Sequence, residues 1–366
     1  MKATRNLAFL GGGLNSAVGY THFLASQLDG YFHVVAGAFS RDPAINLRSG
    51  QRYGINESRI YPDLASILDS QGDNIDALVV LTPTPDHCHD VRQALDSGIN
   101  VICEKALATN SDGARDLATA AAKAGRHCVV TFNYTGYPAV REMRRQIQCG
   151  EIGDLIQIAV EMPQEGFLRE GASAQNWRLK DYQIPTVSLD LGVHVVHLTE
   201  YLAAPGKIKG VRARQQHNGL VNSVIDNVNA IVEYHSGAVA SFWWSKTALG
   251  HRNGLRVRVY GTKGSMEWSQ MNPEEILVAD QSGTRRIIDR GAPPPDSEFS
   301  QSSYNRFKAG HPAGFVEAFA NIYRDFHPML ASPVSESVDS HYGVNKAIDG
   351  LELLEEIHRQ ALTTWE

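Results

Sequence analysis

The chain has 366 residues, 43% of them hydrophobic and 20% charged, with a net charge of −6 at neutral pH. That length predicts two domains rather than one core, the composition leaves little room for long disorder, and the negative balance argues against a nucleic-acid partner. No apolar run is long enough to cross a bilayer, and the first is too short for a signal peptide, so the expectation is a cytoplasmic protein.

Residues 7–10 are a short apolar run that predicts a buried parallel strand. It breaks at Gly11-Gly12-Gly13, and a helical pattern covers 15–28. Strand, glycine turn and helix is the layout that holds a pyrophosphate: glycines leave no Cβ in the way, and the N–H groups of the helix face the anion. Matched to G-x-G-x-x-G, the spacing gives Gly11, Gly13 and then Ser16 in place of the last glycine, with Asn15 opening the helix. Further strands fall at 32–39, 75–81, 99–103 and 127–132, separated by helices at 43–53, up to Leu95, and 111–124. Alternation at this spacing predicts βαβ units and an α/β doubly wound parallel sheet. Right-handed crossovers put the strand ends on one edge, so Gly11, Ser40, Thr82, Lys105 and Asn133 are expected to line one crevice.

The pattern changes after Tyr137-Pro138, and the boundary is placed between 132 and 133: a dinucleotide-binding domain over 1–132 and a substrate domain over 133–366. A helix is expected at 139–148, a strand at 155–162, a polar segment to Pro185 and one helix over about 187–202. Strands follow at 211–217, 224–234, 238–244, 255–260, 265–268, 276–279 and 285–288, several joined by tight turns, which predicts a mainly antiparallel sheet. The proline-rich stretch from Ala292 to about Gly310 reads as a mobile loop, and helices at 313–326 and 342–362 finish the chain.

Two groups of residues suit acid–base chemistry. Lys105, beside Glu104 at a strand end, can hold a substrate hydroxyl and shift the proton affinity of a neighbouring base. Asp190, His194 and His197 are spaced to share one helix face, where a carboxylate can orient an imidazole and stabilise its protonated form. A zinc site on that stripe lacks a further ligand set, and His87-Cys88-His89 point apart on a helix, so no metal is expected. The four cysteines (Cys88, Cys103, Cys128 and Cys149) form no C-x-x-C pair and read as reduced thiols. Trp177-Arg178 can set a guanidinium on a phosphate or a substrate oxygen, and His311-Pro312 can form part of a lid. Ser40-Arg41, where a carboxylate would favour NAD and repel a 2′-phosphate, leaves NAD and NADP unseparated.

These residues resemble the Gfo/Idh/MocA oxidoreductases over nearly the whole length. The matching pieces are Gly11-Gly12-Gly13, Thr82-Pro83 with His87, Glu104-Lys105, Asn133, Trp177-Arg178, Asp190-x-Gly192-x-His194 and Gly261-Thr262-Lys263-Gly264. The resemblance implies a Rossmann domain, then an α/β domain with a large open sheet often used for oligomer contacts, hence a homo-oligomer. It implies reversible hydride transfer between a nicotinamide cofactor, NAD or NADP, and a secondary alcohol of a sugar, cyclitol or glycoside, the C3 position of a glycoside included. Lys105, Asp190 and His194 fall on the family's catalytic positions: His194 would take the hydroxyl proton, Lys105 would bind the same oxygen, and Asp190 would hold the polar network. Gly11, Gly13, Asn15, Ser16, Ser40, Arg41, Thr82, Pro83, His87, Glu104, Lys105, Asn133 and Arg178 are the expected cofactor residues. Tyr134, Gln164, Trp177, His197 and His311 join Lys105 and His194 as the expected substrate residues. Ala106 stands where the family usually has proline, and His197 where it usually has an acid. The second reading is a dinucleotide-binding sensor with the same fold and no turnover.

Overall fold

The computed structural model describes residues 4–71, 74–171, 174–221, 223–330, 332, 334 and 341–363. The chain divides into two compact units: Met1–Gly136 with Phe315–Ile348, and Tyr137–Gly314 with Asp349–Glu366.

The first unit is built on five parallel strands in the order β2-β1-β3-β4-β5. They are β1 (Arg5–Gly11), β2 (Phe32–Ala38), β3 (Ala77–Leu81), β4 (Asn100–Cys103) and β5 (Cys128–Val130). The helices between them are α1 (Gly19–Gln27), α2 (Pro43–Arg52), α3 (Leu64–Gln71), α4 (His87–Asp96) and α5 (Ser111–Ala124). β3 is buried at all five positions, as a strand covered on both faces must be. The strand order reverses between β1 and β3, where Gly11 pairs with Leu81, and a doubly wound sheet opens its ligand crevice at such a switch point.

Two expectations are corrected here. The first helix starts at Gly19, not at residue 15, because the hydroxyl of Ser16 takes the N–H groups of Val18 and Gly19 and holds a turn ahead of it. The boundary at 132/133 places everything after it in one domain, whereas α8 (Phe315–Met329) belongs to the first unit. Its Phe319, Ile322, Tyr323 and Phe326 are buried in one cluster with Leu7, Phe9, Phe32 and Val79.

The second unit carries an eight-stranded sheet in the order β13-β12-β11-β10-β6-β9-β8-β7. Its strands are β6 (Leu155–Pro163), β7 (Ile208–Gln216), β8 (Asn227–Tyr234), β9 (Val239–Ser245), β10 (Arg256–Gly261), β11 (Gly264–Ser269), β12 (Asn272–Asp280) and β13 (Arg285–Ile288). Every pair is antiparallel except β6 and β9, which run parallel at the centre. Alternation is clean along β8, where Val228, Ala230, Val232 and Tyr234 are buried and the residues between them face outward. Helices α6 (Pro138–Gln148) and α7 (Val193–Ala203) pack on the inner face, and α9 (Val344–Ala361) closes the chain.

The proline-rich segment is not a mobile loop. It holds two short 3₁₀ turns, Glu298–Ser300 and Ser302–Tyr304, with Phe299 and Tyr304 buried. The buried guanidinium of Arg290 bonds Glu274 and the carbonyls of Phe307 and His311, tying both ends of the segment down. Two buried rings and an internal cation outweigh the flexibility its composition implies.

Candidate active site

The glycine turn of the first unit is a cradle that side chains would fill. Gly11 and Gly12 have φ of +78° and +73°, and a Cβ on Gly11 would stand 2.8 Å from the Leu81 carbonyl. The close-packing role that G-x-G-x-x-G gives to its last glycine passes to Gly19, where a Cβ would lie 1.9 Å from the Gly12 oxygen. Ser16, at the consensus position, is therefore free to cap the turn. The Tyr53 hydroxyl, its pKa pushed up to about 12 by burial, donates to the Gly12 carbonyl at 2.6 Å and fixes the loop. The N–H groups of Asn15 and Ala17 take no acceptor among the described residues, which suits a bound anion. Just past β5, Asn133 is buried and its side-chain amide nitrogen has no partner among the described residues, so it can donate to a ligand at the same edge. These observations fit a dinucleotide.

After β2, the Ser40 hydroxyl accepts the Asp42 N–H, and the Asp42 carboxylate caps α2 through the N–H groups of Ala44 and Ile45. The one acid near Arg41 is thus committed to a helix end. After β3, the Thr82 hydroxyl donates to Asp90 at 2.7 Å, and Pro83 leads into a 3₁₀ turn. His87 is buried with Nε2 2.8 Å from the Thr82 carbonyl and Nδ1 2.7 Å from that of Ala106, so it clasps the segments that follow β3 and β4. Burial pushes its pKa below the ordinary histidine value, against the pull of the two carbonyls.

Glu104, which follows β4, is the hub of a buried network. Its Oε1 receives Nε2 of His22 at 3.0 Å and the Thr131 hydroxyl, while Oε2 takes the Lys105 N–H at 3.2 Å. The Tyr323 hydroxyl lies 2.8 Å from the other nitrogen of His22. Burial pushes the Glu104 carboxyl up, but His22, Lys105 and Thr131 hold it below the usual carboxylate range. An ionised Glu104 so anchored sets the backbone from which Lys105 departs; the Lys105–Ala106 peptide is cis. Tyr134 is buried in the 3₁₀ turn Asn133–Gly136. Sequence reasoning missed His22, Thr131 and Tyr323, since nothing local marks them as partners of Glu104.

In the second unit, the single helix expected over 187–202 begins with a π-helical turn, Ser188–Gly192, and continues as α7. Such turns recur at functional sites because they widen the backbone and re-aim side chains. Gly192 makes it possible: a Cβ there would stand 3.0 Å from the Trp244 ring and 2.9 Å from the Leu354 side chain. Trp244 donates to Ser188 Oγ at 3.1 Å and seats the turn on β9. Asp190, His194 and His197 are all buried along this stretch. The Asp190 carboxylate is gripped by two cations: Arg178 bonds both oxygens at 3.1 Å, and Lys246 Nζ lies 2.7 Å from Oδ2. Arg178 also bonds Gln175 and stacks on Trp177 at 4.2 Å, so its guanidinium is devoted to Asp190 and its own loop. Gln164 accepts from Lys246 and donates to Asn253 at 2.8 Å. His311 is exposed, with its carbonyl on Arg290. Lys246 was not foreseen; the signal available was its place directly after a strand, much as Lys105 lies two residues past β4.

Among the described residues no cluster of His, Cys, Asp and Glu has a metal-binding arrangement, and no helix is long and apolar enough to cross a membrane.

Residues 5–132 match the oxidoreductase family with an NAD-binding Rossmann fold, and 140–267 match the GFO/IDH/MocA C-terminal domain. An uncharacterised oxidoreductase of Bacillus subtilis, YfiI, is 31% identical over 332 residues, covering 87% of this chain and 84% of that protein. Levoglucosan dehydrogenase of Pseudarthrobacter phenanthrenivorans is 25% identical over 328 residues, covering 79% of this chain and 81% of that one. The crystal structure of an inositol dehydrogenase homologue from Azotobacter vinelandii, complexed with NADH and myo-inositol, superimposes with a TM-score of 0.87 at 28% identity, covering 99% of this chain and 96% of that one. The two family models, which together span most of the chain, and the 31% identical relative place this chain in the GFO/IDH/MocA family of oxidoreductases.

Proposed function

We propose that the protein is an NAD(P)-dependent dehydrogenase that reversibly oxidises a secondary hydroxyl of a sugar, cyclitol or glycoside to a ketone. The observation that carries this reading is Asp190: a buried carboxylate paired with two cations, one turn before a buried imidazole. A carboxylate bridged by two cations suits a fixed counter-charge beside an imidazole, and His194, four residues on, is the group assigned to the proton transfer. The bound nicotinamide supplies the hydride acceptor. Lys105 binds the reacting oxygen and favours its alkoxide character, and His194 takes the hydroxyl proton and returns it in reduction. Asp190 keeps the local charge fixed while the proton moves. Gly11, Gly13, Asn15 and Ser16 hold the pyrophosphate, Ser40 and Arg41 face the adenosine ribose, and Thr82, Pro83, His87, Glu104 and Asn133 shape the nicotinamide end. Tyr134, Gln164, Trp177, His197 and His311 are assigned to the substrate. The names of the relatives, a levoglucosan dehydrogenase and an inositol dehydrogenase homologue among them, support a cyclic polyol.

The outward face of the eight-stranded sheet is assigned to self-association. It carries a groove of about 430 Å³ lined by Arg212, Arg214, Ile231, Trp243 and Arg258, and Ile231 and Tyr260 are exposed on it.

The test is cofactor reduction, followed by nicotinamide absorbance, across a panel of sugars, cyclitols and glycosides. Wild-type protein is expected to turn over a member of the panel, and Lys105→Ala and His194→Ala are expected to abolish turnover while leaving dinucleotide affinity largely intact. Near-normal rates in either variant remove the role given to that residue. Tight dinucleotide binding with no turnover by the wild type favours the sensor reading.

A further inference from the structure

Lys246 is the first residue after β9 and Gln164 the first after β6. These strands are the one parallel pair of the sheet among the described residues, with Pro163 opposite Ser245, so both side chains leave the sheet at the same place. The backbone there is pinned on both sides: Gln164 N–H bonds the Ser245 carbonyl at 2.7 Å, and Lys246 N–H that of Asp226 at 2.8 Å. Lys246 Nζ bridges Gln164 Oε1 at 2.8 Å and Asp190 Oδ2 at 2.7 Å. Its side chain is only 12% exposed, so the ion pair is shielded from solvent.

The two cations on Asp190 come from different kinds of support. Arg178 extends from a four-residue 3₁₀ turn, Asn176–Leu179, and lies on the face of its neighbour Trp177. Lys246 extends from the end of a central strand, so of these two cations it is the one that ties the carboxylate to the sheet. The bridge also sets the Gln164 amide: Oε1 faces Lys246 and Nε2 faces Asn253. A substrate hydroxyl meeting Gln164 Oε1 would then have to donate.

We propose that Lys246 is a positioning residue for this reaction: it fixes Asp190, and with it the turn that leads to His194, against the ends of β6 and β9. The inference rests on the reading of Asp190 and His194 given above, and its test includes a measurement that needs no substrate. In the cofactor-free protein, backbone amide exchange across residues 188–194 is compared in wild type, Lys246→Met, Lys246→Gln and Lys246→Arg. Exchange there is expected to quicken about tenfold in the Met and Gln variants and to stay near wild type in the Arg variant, with β1 unchanged as the internal reference. With a polyol that is turned over, kcat is expected to fall about 30-fold in Lys246→Met and to recover most of the way in Lys246→Arg, at unchanged dinucleotide affinity. Unaltered exchange across 188–194 in both neutral variants overturns the proposal, whatever the substrate. A rise in KM with kcat intact also overturns it, as does faster exchange spread evenly over the chain. If the wild type turns over no polyol, the functional reading fails, and exchange alone decides whether Lys246 positions Asp190.

Discussion

His22 Nε2 lies 3.0 Å from Glu104 Oε1, with both side chains buried. Replacing His22 with Leu leaves that carboxylate in the core without its main partner, and the expected loss is about 3 kcal/mol at neutral pH. In the wild type the Glu104 carboxyl is held below its usual range, so its contribution is present above that range and fades as pH falls through the folded value. In His22→Leu burial prevails and the folded value rises, so the variant loses stability as pH climbs. Urea unfolding across pH should therefore show the two proteins close in acid and diverging toward neutrality. Tyr323→Phe, which removes only the far hydroxyl, should cost about 1 kcal/mol.

The glycine cradle gives a test that reverses the consensus. Ser16→Gly restores the third glycine of the pattern but removes the hydroxyl that takes the Val18 and Gly19 N–H groups, so it should lower stability by about 1 kcal/mol. Gly19→Ala, outside the pattern, forces a Cβ to within 1.9 Å of the Gly12 oxygen. It should cost about 3 kcal/mol and weaken NADH binding at least tenfold, on the order of what overpacking against backbone entails. Fluorescence titration with NADH and thermal unfolding measure both.

Cofactor choice turns on Ser40. No carboxylate follows β2 at this position, and Asp42 is occupied with α2, so NADPH as well as NADH should bind. Ser40→Asp should weaken NADPH by at least about tenfold through charge repulsion and leave NADH within about threefold, as titration of each will show.

Arg290 tests the correction to the proline-rich segment. Arg290→Met removes a buried cation that holds Glu274 and two carbonyls, and should lower stability by about 3 kcal/mol. Limited proteolysis should then cut within residues 291–312, where the wild type resists.

What could be read in advance follows from how local its cause is. The parallel strands were legible because each is an apolar run closed by glycine or a polar residue, and Lys105 was legible because it lies two residues past one. Asp190 and His194 were legible from their spacing, although the π turn before α7 was not, since it depends on Trp244 and Leu354 packing against Gly192. Lys246 meets a carboxylate 56 positions away, and His22 meets a hydroxyl 301 positions away; no window of sequence holds either pair. The proline-rich segment was misread because composition speaks for the free chain, while Phe299 and Tyr304 respond to a core formed elsewhere.

The proposed reaction moves a hydride from a polyol carbon to the nicotinamide. The most direct measurement is the fate of deuterium placed on the carbinol carbon of a substrate drawn from the panel. The label is expected at nicotinamide C4 with the wild type, while Lys105→Ala and His194→Ala are expected to bind NADH but transfer none. Label lost to water, or transferred equally well by the two variants, would contradict it.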